Sequence, residues 1–387
     1  MSCFRLVALA LSACLIAGVA RSYQLPDIYD ESKRKKKKKK KKEDVEPPTQ
    51  VLALPPDPPA VLTVETRRLA FQVAPLSNKG LLSQQVRDGL RTLLRLTRGD
   101  QIVKLRAFVA GTGDLRRVQA IVSETFAEKR MNLPVLSVVQ VGALPLEGAQ
   151  VALETISVEK REVNREGLAF IAGQQVVADQ PTLTMAPLVE KSLAQIRTAV
   201  SAIGQEPKDV LRITCFVTSL ADQSTTLQSV VQSFPGAAAH FIQIQRVPSR
   251  SLTECDGVAA LSRPVGSPLK FLNPEGLTAN EDYSQVALVG APHIVLSGTQ
   301  MAFNQREEDT RLAFQRLEKS LESAKTSLKR AAVANLYPLT QRSIELVRKV
   351  RFDYLDQAHP PAGTLLLFEG LPSLDASFGL DVIAVAP

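Results

Sequence analysis

The sequence predicts an α+β chain built from three tandem ββαβαββ units, and three observations predict it. From Val61 onward one order of patterns recurs three times, each copy on the order of 105–120 residues long. Within each copy, short apolar runs rich in β-branched residues alternate with two stretches of helical periodicity. Each copy then closes on two strand-like runs around a turn with proline: Leu144-Pro145, Val247-Pro248 and Leu371-Pro372. Such a unit lays two helices on one face of a small mixed sheet.

The first copy, 60–157, opens with strands over Val61–Thr66 and Arg68–Val73. An amphipathic helix spans Gly80 to Thr97, with Leu81, Val86, Leu90, Leu93 and Leu94 on one face. Strand Ile102–Val109 follows, then a helix over Asp114–Lys129 that Asp114 can cap. Val135–Val141 and Ala149–Thr155 close the copy. The second, 158–265, repeats the order: strands Val158–Val163 and Leu168–Ala172, helix Pro187–Ile203, strand Val210–Thr218, helix Asp222–Ser233, strands Ala238–Arg246 and Glu254–Leu261. In the third, 266–387, Gln285–Val289 and His293–Ser297 read as a hairpin and Arg306–Ala331 as one long helix. Strand Val333–Tyr337, helix Gln341–Leu355 and strands Thr364–Phe368 and Gly379–Val385 complete it.

The first sixty residues have a different character. Met1–Ala20 reads as an export signal: Arg5 is its positive start, Leu6–Val19 its apolar run, and Gly18-Val19-Ala20 its small-residue cleavage site. The run is short for a membrane helix, which needs about 20 apolar residues. Leu11-Ser12-Ala13-Cys14 also fits a lipoprotein box with Cys14 as the lipidated residue, so soluble secretion, lipidation and an uncleaved anchor all stay open. Residues 21–59 form a linker, in which like charges and paired prolines favour extended chain over a core.

That linker also explains the charge. The chain carries 47 Lys+Arg against 39 Asp+Glu, a net +8, and ten of the positive charges form the run Lys33–Lys42. Without the run the count is 37 against 39, and residues 60–387 alone carry 35 against 32, so the folded part is close to neutral and is not expected to bind nucleic acid specifically. Aromatic residues at 5% and the absence of Trp also leave little for base stacking. The lysine run is either an attachment to an anionic surface or a solvated spacer.

Other constellations are sparse. His240, His293 and His359 stand in no metal-binding spacing, and no metal or cofactor is expected. Neither a nucleophile elbow nor a phosphate-binding loop is present. Beyond the signal only Cys215 and Cys255 remain, as a disulfide or as two buried thiols.

The third copy carries the motifs Tyr283-Ser284-Gln285, Leu296-Ser297-Gly298, Pro361-Ala362-Gly363-Thr364, Leu371-Pro372 and Leu380-Asp381-Val382-Ile383-Ala384-Val385. In these it resembles the RidA/YjgF (Rid) family of enamine/imine deaminases, whose older label is L-PSP endoribonuclease. The second copy shares Thr218-Ser219-Leu220-Ala221-Asp222 and Phe234; the first is fainter. The resemblance implies chorismate-mutase-like domains that trimerise with a ligand cleft at each contact. Three in one chain then form an intramolecular pseudo-trimer.

It also implies a chemistry that can be checked position by position. Rid enzymes hold the substrate carboxylate with an arginine, a task suited to a bidentate guanidinium. Counted back from each turn, that position falls on Leu136, Ala239 and Gly363. The acid that positions water matches Glu154, Asp256 and Asp381; Tyr283 and Ser297-Gly298 complete the candidate cleft. Three lost arginines point to a non-catalytic binding or scaffolding module with a small molecule in an interdomain cleft. The alternative is an imine deaminase or related hydrolase in which another cation, such as Arg246, replaces the arginine.

Overall fold

The computed structural model describes residues 55–387 apart from 112, 183, 248 and 279. The export signal, Cys14, the lysine run and most of the linker lie outside the described residues, as does Pro248 of the second turn.

Three mixed sheets and six helices, with several 3₁₀ turns, make up the described α+β body. In the first repeat the sheet runs in the order β2 (Leu69–Val73), β5 (Val151–Val158), β3 (Gln101–Ala110), β4 (Val135–Val141). Helices α1 (Leu82–Leu96) and α2 (Leu115–Glu128) bury Val86, Leu90, Leu93, Val118, Ile121 and Val122 against it. Asp114 caps α2 by accepting from the Arg116 N–H.

The second repeat comprises β6 (Leu168–Ala178), α3 (Ala186–Ala202), β7 (Val210–Val217), α4 (Gln223–Ser233), β8 (Ala238–Gln243) and β9 (Ser251–Ala260). Then come β10 (Leu269–Leu272) and β11 (Val286–Val289). The third holds β12 (His293–Ser297), β13 (Gln300–Phe303), α5 (Glu307–Ser323), β14 (Ala331–Pro338), α6 (Gln341–Val350), β15 (Ala362–Leu365) and β16 (Ala376–Val385). Cys215 on β7 and Cys255 on β9 are cross-strand neighbours joined by a disulfide.

The opening strands of the repeats depart from expectation. Gln285–Val289 and His293–Ser297 form no hairpin with each other: β11 pairs with β6 of the second repeat, and β12 pairs with β1 (Val61–Glu65) and β16. The first described strand therefore completes the sheet of the last repeat, and β11 that of the second. The expected strand Val158–Val163 is absent, because β5 runs on to Val158 and the next residues turn. Only Glu159–Gly167 separate β5 from β6, and Val163 and Asn164 N–H bond back to Arg67 O. A link so short and so tied cannot cross to the far edge of β2.

The long helix expected to Ala331 ends at Ser323. Lys325 turns to a φ of 59°, Leu328 N–H donates to Glu318 Oε2 at 2.6 Å, and Thr326 Oγ1 donates to Val385 O at 2.6 Å. These tertiary bonds override the helical propensity of the Ala- and Lys-rich run. Helix α6 likewise stops at Val350, before a 3₁₀ turn at Arg351–Asp353.

The core is layered. Each repeat has its own helix-to-sheet cluster. Two further clusters are shared by all three repeats: one around Leu69, Val103, Phe170, Val258, Leu296 and Ile383, the other around Phe108, Phe216, Tyr337 and Phe368. The rings of Phe216 and Phe368 meet edge-on at 5.7 Å, as do those of Tyr337 and Phe368 at 5.2 Å. The three sheets thus enclose a common interior, the arrangement of a pseudo-trimer.

Candidate functional site

Strand register places the candidate residues at equivalent points of the three sheets. Glu154 on β5 stands opposite Arg106, Asp256 on β9 opposite Thr214, and Asp381 on β16 opposite Asn335. One step along the central strands, Leu136 lies beside Leu105, Ala239 beside Ile213 and Gly363 beside Ala334. Apolar or side-chain-free residues thus occupy all three positions where the family resemblance looks for a guanidinium.

None of the acids is free. Asp381 is fully buried and accepts four bonds. Lys104 Nζ (2.9 Å) and Asn335 Nδ2 (3.0 Å) reach Oδ1; Ser137 Oγ (2.7 Å) and Tyr337 OH (2.8 Å) reach Oδ2. Burial pushes its carboxyl up, but Lys104, Arg106 and the hydrogen bonds together outweigh that and hold it below the ordinary aspartate range. Glu154 accepts from Arg106 Nε at 2.6 Å, Arg212 Nη1 at 3.1 Å and His240 Nε2 at 2.8 Å. Burial opposes its ionisation, yet Arg106, Arg212 and His240 keep it well below the usual glutamate value. Asp256 is paired with Arg212.

Lys104, Arg106 and Arg212 face these three carboxylates in one polar layer between the two shared apolar clusters. A cavity of about 30 Å³ within that layer, lined by Lys104, Arg106, Glu154, Arg212 and Asn335, has room for about one water. The cation at Asp381 is therefore Lys104. Arg246, the expected substitute, donates instead to Gln243 Oε1 at 3.4 Å. Sequence patterning passed over Lys104, Arg106 and Arg212, although a charge in the middle of an apolar strand is itself a signal of a buried pair.

A fourth acid was also missed. Glu254 on β9 is buried against Gly173, where any Cβ would collide with its carboxyl group. Its Oε2 accepts from Gln175 Nε2 at 3.0 Å and Oε1 has no partner among the described residues. With no cation beside it, burial pushes it up to about 8.

The three equivalent clefts differ. Between the first and second repeats a cleft of about 430 Å³ is lined by Val73, Ala74, Leu76, Leu146, Leu227, Ala239 and His240. It is mostly apolar, and His240 Nδ1 in its wall has no hydrogen-bond partner among the described residues. Between the second and third repeats only about 10 Å³ remains beside Tyr283, Gly363 and Thr364, and the buried Tyr283 OH donates to Gly173 O at 2.7 Å. Between the third and first, Thr299 N–H donates to Leu136 O at 3.1 Å, and Gly298 packs so tightly on Leu136 that a Cβ there would lie 3.0 Å from its carbonyl. Ser297 is buried in the same wall: its Oγ accepts from Val382 N–H at 2.8 Å and its carbonyl from Lys104 Nζ at 2.7 Å. Tyr283, Ser297 and Asp381 thus line no common open space. No metal-binding group of His, Cys, Asp or Glu occurs among the described residues.

No family model and no curated protein matches the chain. Among solved structures it is similar to Rv2704 of Mycobacterium tuberculosis, a member of the YjgF/YER057c/UK114 family: 19% identity over 24% of this chain and 79% of that one, TM-score 0.21. It is likewise similar to YyfB of Yersinia pestis, from the Rid family, at 23% identity over 26% and 83%, TM-score 0.22. NMB1025 of Neisseria meningitidis, a member of the YjgF family, matches at 12% identity over 31% and 95%, TM-score 0.23.

Proposed function

We propose that this chain is an exported, non-catalytic binding module of the Rid type, with one usable ligand cleft, between its first and second repeats. The observation that carries this reading is the fate of Glu154, Asp256 and Asp381. Each is buried and bonded to a lysine or arginine of the polar layer, so none is left to position a hydrolytic water. The missing guanidinium at Leu136, Ala239 and Gly363 removes the other half of that chemistry. The open cleft suits a small, largely apolar ligand. In this reading the run Lys33–Lys42 tethers the module to an anionic surface.

The test is direct. Purified protein should hydrolyse 2-iminopropanoate no faster than buffer does. It should raise the fluorescence of 8-anilinonaphthalene-1-sulfonate saturably, and Ala239→Trp should abolish that rise. Hydrolysis above background that disappears in Asp381→Ala sinks the proposal.

One contact favours a second reading. Glu154 holds His240 Nε2 at 2.8 Å in the wall of the open cleft, and the unpartnered Nδ1 would serve as a base if the cleft opened far enough to admit water to it. On that reading His240→Asn, and not Asp381→Ala, removes an imine hydrolase activity.

A further inference from the structure

Among the described residues one strand position is filled in two repeats and empty in the third. Phe71 on β2, Phe170 on β6 and Leu296 on β12 are equivalent, standing opposite Ile156, Val258 and Ile383 of their closing strands. On the other side Phe170 pairs with Ala287 of β11 and Leu296 with Leu62 of β1. Ala172 N–H donates to Gln285 O and Gly298 N–H to Ala60 O, each at 2.9 Å, extending those pairings. Among the described residues no strand hydrogen-bonds the outer side of Phe71.

Ala74 N–H donates to Leu153 O and Glu159 N–H to Arg68 O, so the even-numbered residues of β2 bond β5, and Phe71 and Val73 turn their backbone groups outward. The outward carbonyl of Leu69 is taken by Asn164 Nδ2 at 2.6 Å. The outward backbone groups of Phe71 and Val73 have no partner among the described residues. Ala70 to Val73 are all partly exposed, whereas Phe170 and Leu296 are buried. Beyond Val73 opens the apolar cleft with Leu76, Leu146 and Leu227.

We propose that an extended peptide of a partner protein adds to the outer edge of β2 and buries a bulky apolar side chain in that cleft. This deepens the binding-module reading above and rests on it. The sister strands supply the occupant's chemistry. Both are short runs of mainly Val, Leu and Ala, β1 of five residues and β11 of four, and both lie antiparallel to the strand they join. An antiparallel peptide puts its N-terminal end at Val73, so the anchoring side chain precedes the paired residues. Main-chain bonds supply the affinity and the cleft the specificity.

The test uses the full chain and a labelled peptide, Phe-Gln-Val-Ala-Leu-Val, which is the run Gln285–Val289 with an anchor before it. Fluorescence anisotropy should show saturable binding. N-methylation of the alanine, which faces Phe71, should weaken binding on the order of tenfold, and N-methylation of the first valine, which faces away, should not. Val73→Pro removes an outward N–H without touching the ladder to β5, and should weaken binding similarly. Leu227→Glu, on the exposed side of α4, should do the same with no change in thermal melting. Equal affinity for the two methylated peptides, or binding indifferent to Val73→Pro, overturns the proposal. If the peptide fails while 8-anilinonaphthalene-1-sulfonate still binds, the strand-addition inference falls and the module reading stands; if both fail, both fall. Self-association of the chain that Val73→Pro abolishes would put a second copy on the edge and also overturn the proposal.

Discussion

Lys104 on β3 of the first repeat donates to Asp381 on the closing strand of the third, Nζ to Oδ1 at 2.9 Å across 277 positions of sequence. The same step recurs at the next interface, where Arg212 of the second repeat donates to Glu154 of the first at 3.1 Å. Lys104, Arg212 and Val333 are equivalent, facing Ile156, Val258 and Ile383. The third link of the ring is therefore missing, because Val333 carries no charge. Arg212 compensates by bonding Asp256 as well as Glu154.

Removing one member of a buried pair costs more than the pair contributes, since the survivor keeps its desolvation penalty. Lys104→Met should destabilise the chain by about 3–5 kcal/mol in urea unfolding at neutral pH. Lys104→Met combined with Asp381→Asn should recover much of that loss. A single-variant cost below about 1 kcal/mol would mean that water reaches the pair.

Acid and base should act through different carboxyls. Glu154 and Asp381 have folded values below their unfolded ones, so their stabilisation is present above about pH 4 and is lost as pH falls through the folded values. Glu254 has the opposite sign. Its folded value of about 8 exceeds the unfolded one, so the native state binds the extra proton and stability declines as pH rises from about 4.5 toward 8. Glu254→Gln should flatten that decline in melting curves taken across the window, and an unchanged slope would refute the assignment.

The repeat and most element positions were legible because strand and helix periods are local. The partners of the opening strands were not. Val61–Glu65 and Val286–Val289 look alike wherever they pair, and the choice depends on connection length: Leu261–Gln285 leave room to reach a sheet edge, and Glu159–Gly167 do not. The acids at Glu154, Asp256 and Asp381 could be found by counting from each turn. Their partners could not, because Lys104 reaches Asp381 only once three repeats have closed around one interior.

The closing strand β1 offers a further check. Gly298 N–H bonds Ala60 O, so Leu62 and Val64 turn their backbone groups toward β12, and Thr63 turns away. Val64→Pro should cost about 2–3 kcal/mol, a ladder bond plus part of a buried side chain. Thr63→Pro, at an edge position with no bond to lose, should cost well under half as much. Equal losses in thermal unfolding would mean that β1 does not close the third sheet.

Placing an arginine at the positions that the Rid resemblance singles out should succeed at one cleft and fail at another. Ala239 is partly exposed and borders about 430 Å³ of open space, so Ala239→Arg has room for a guanidinium beside the mouth of the cleft. The variant should fold normally and gain weak binding of a 2-oxo acid such as pyruvate, seen by calorimetry and lost at high salt. Gly363 allows no such change. A Cβ there would lie 1.9 Å from Ala334 O, and the space beside it is about 10 Å³. Gly363→Ala should already lower the melting temperature by several degrees, and Gly363→Arg should leave little soluble protein. If Gly363→Arg folds and binds the oxo acid while Ala239→Arg does not, the open cleft has been placed at the wrong interface.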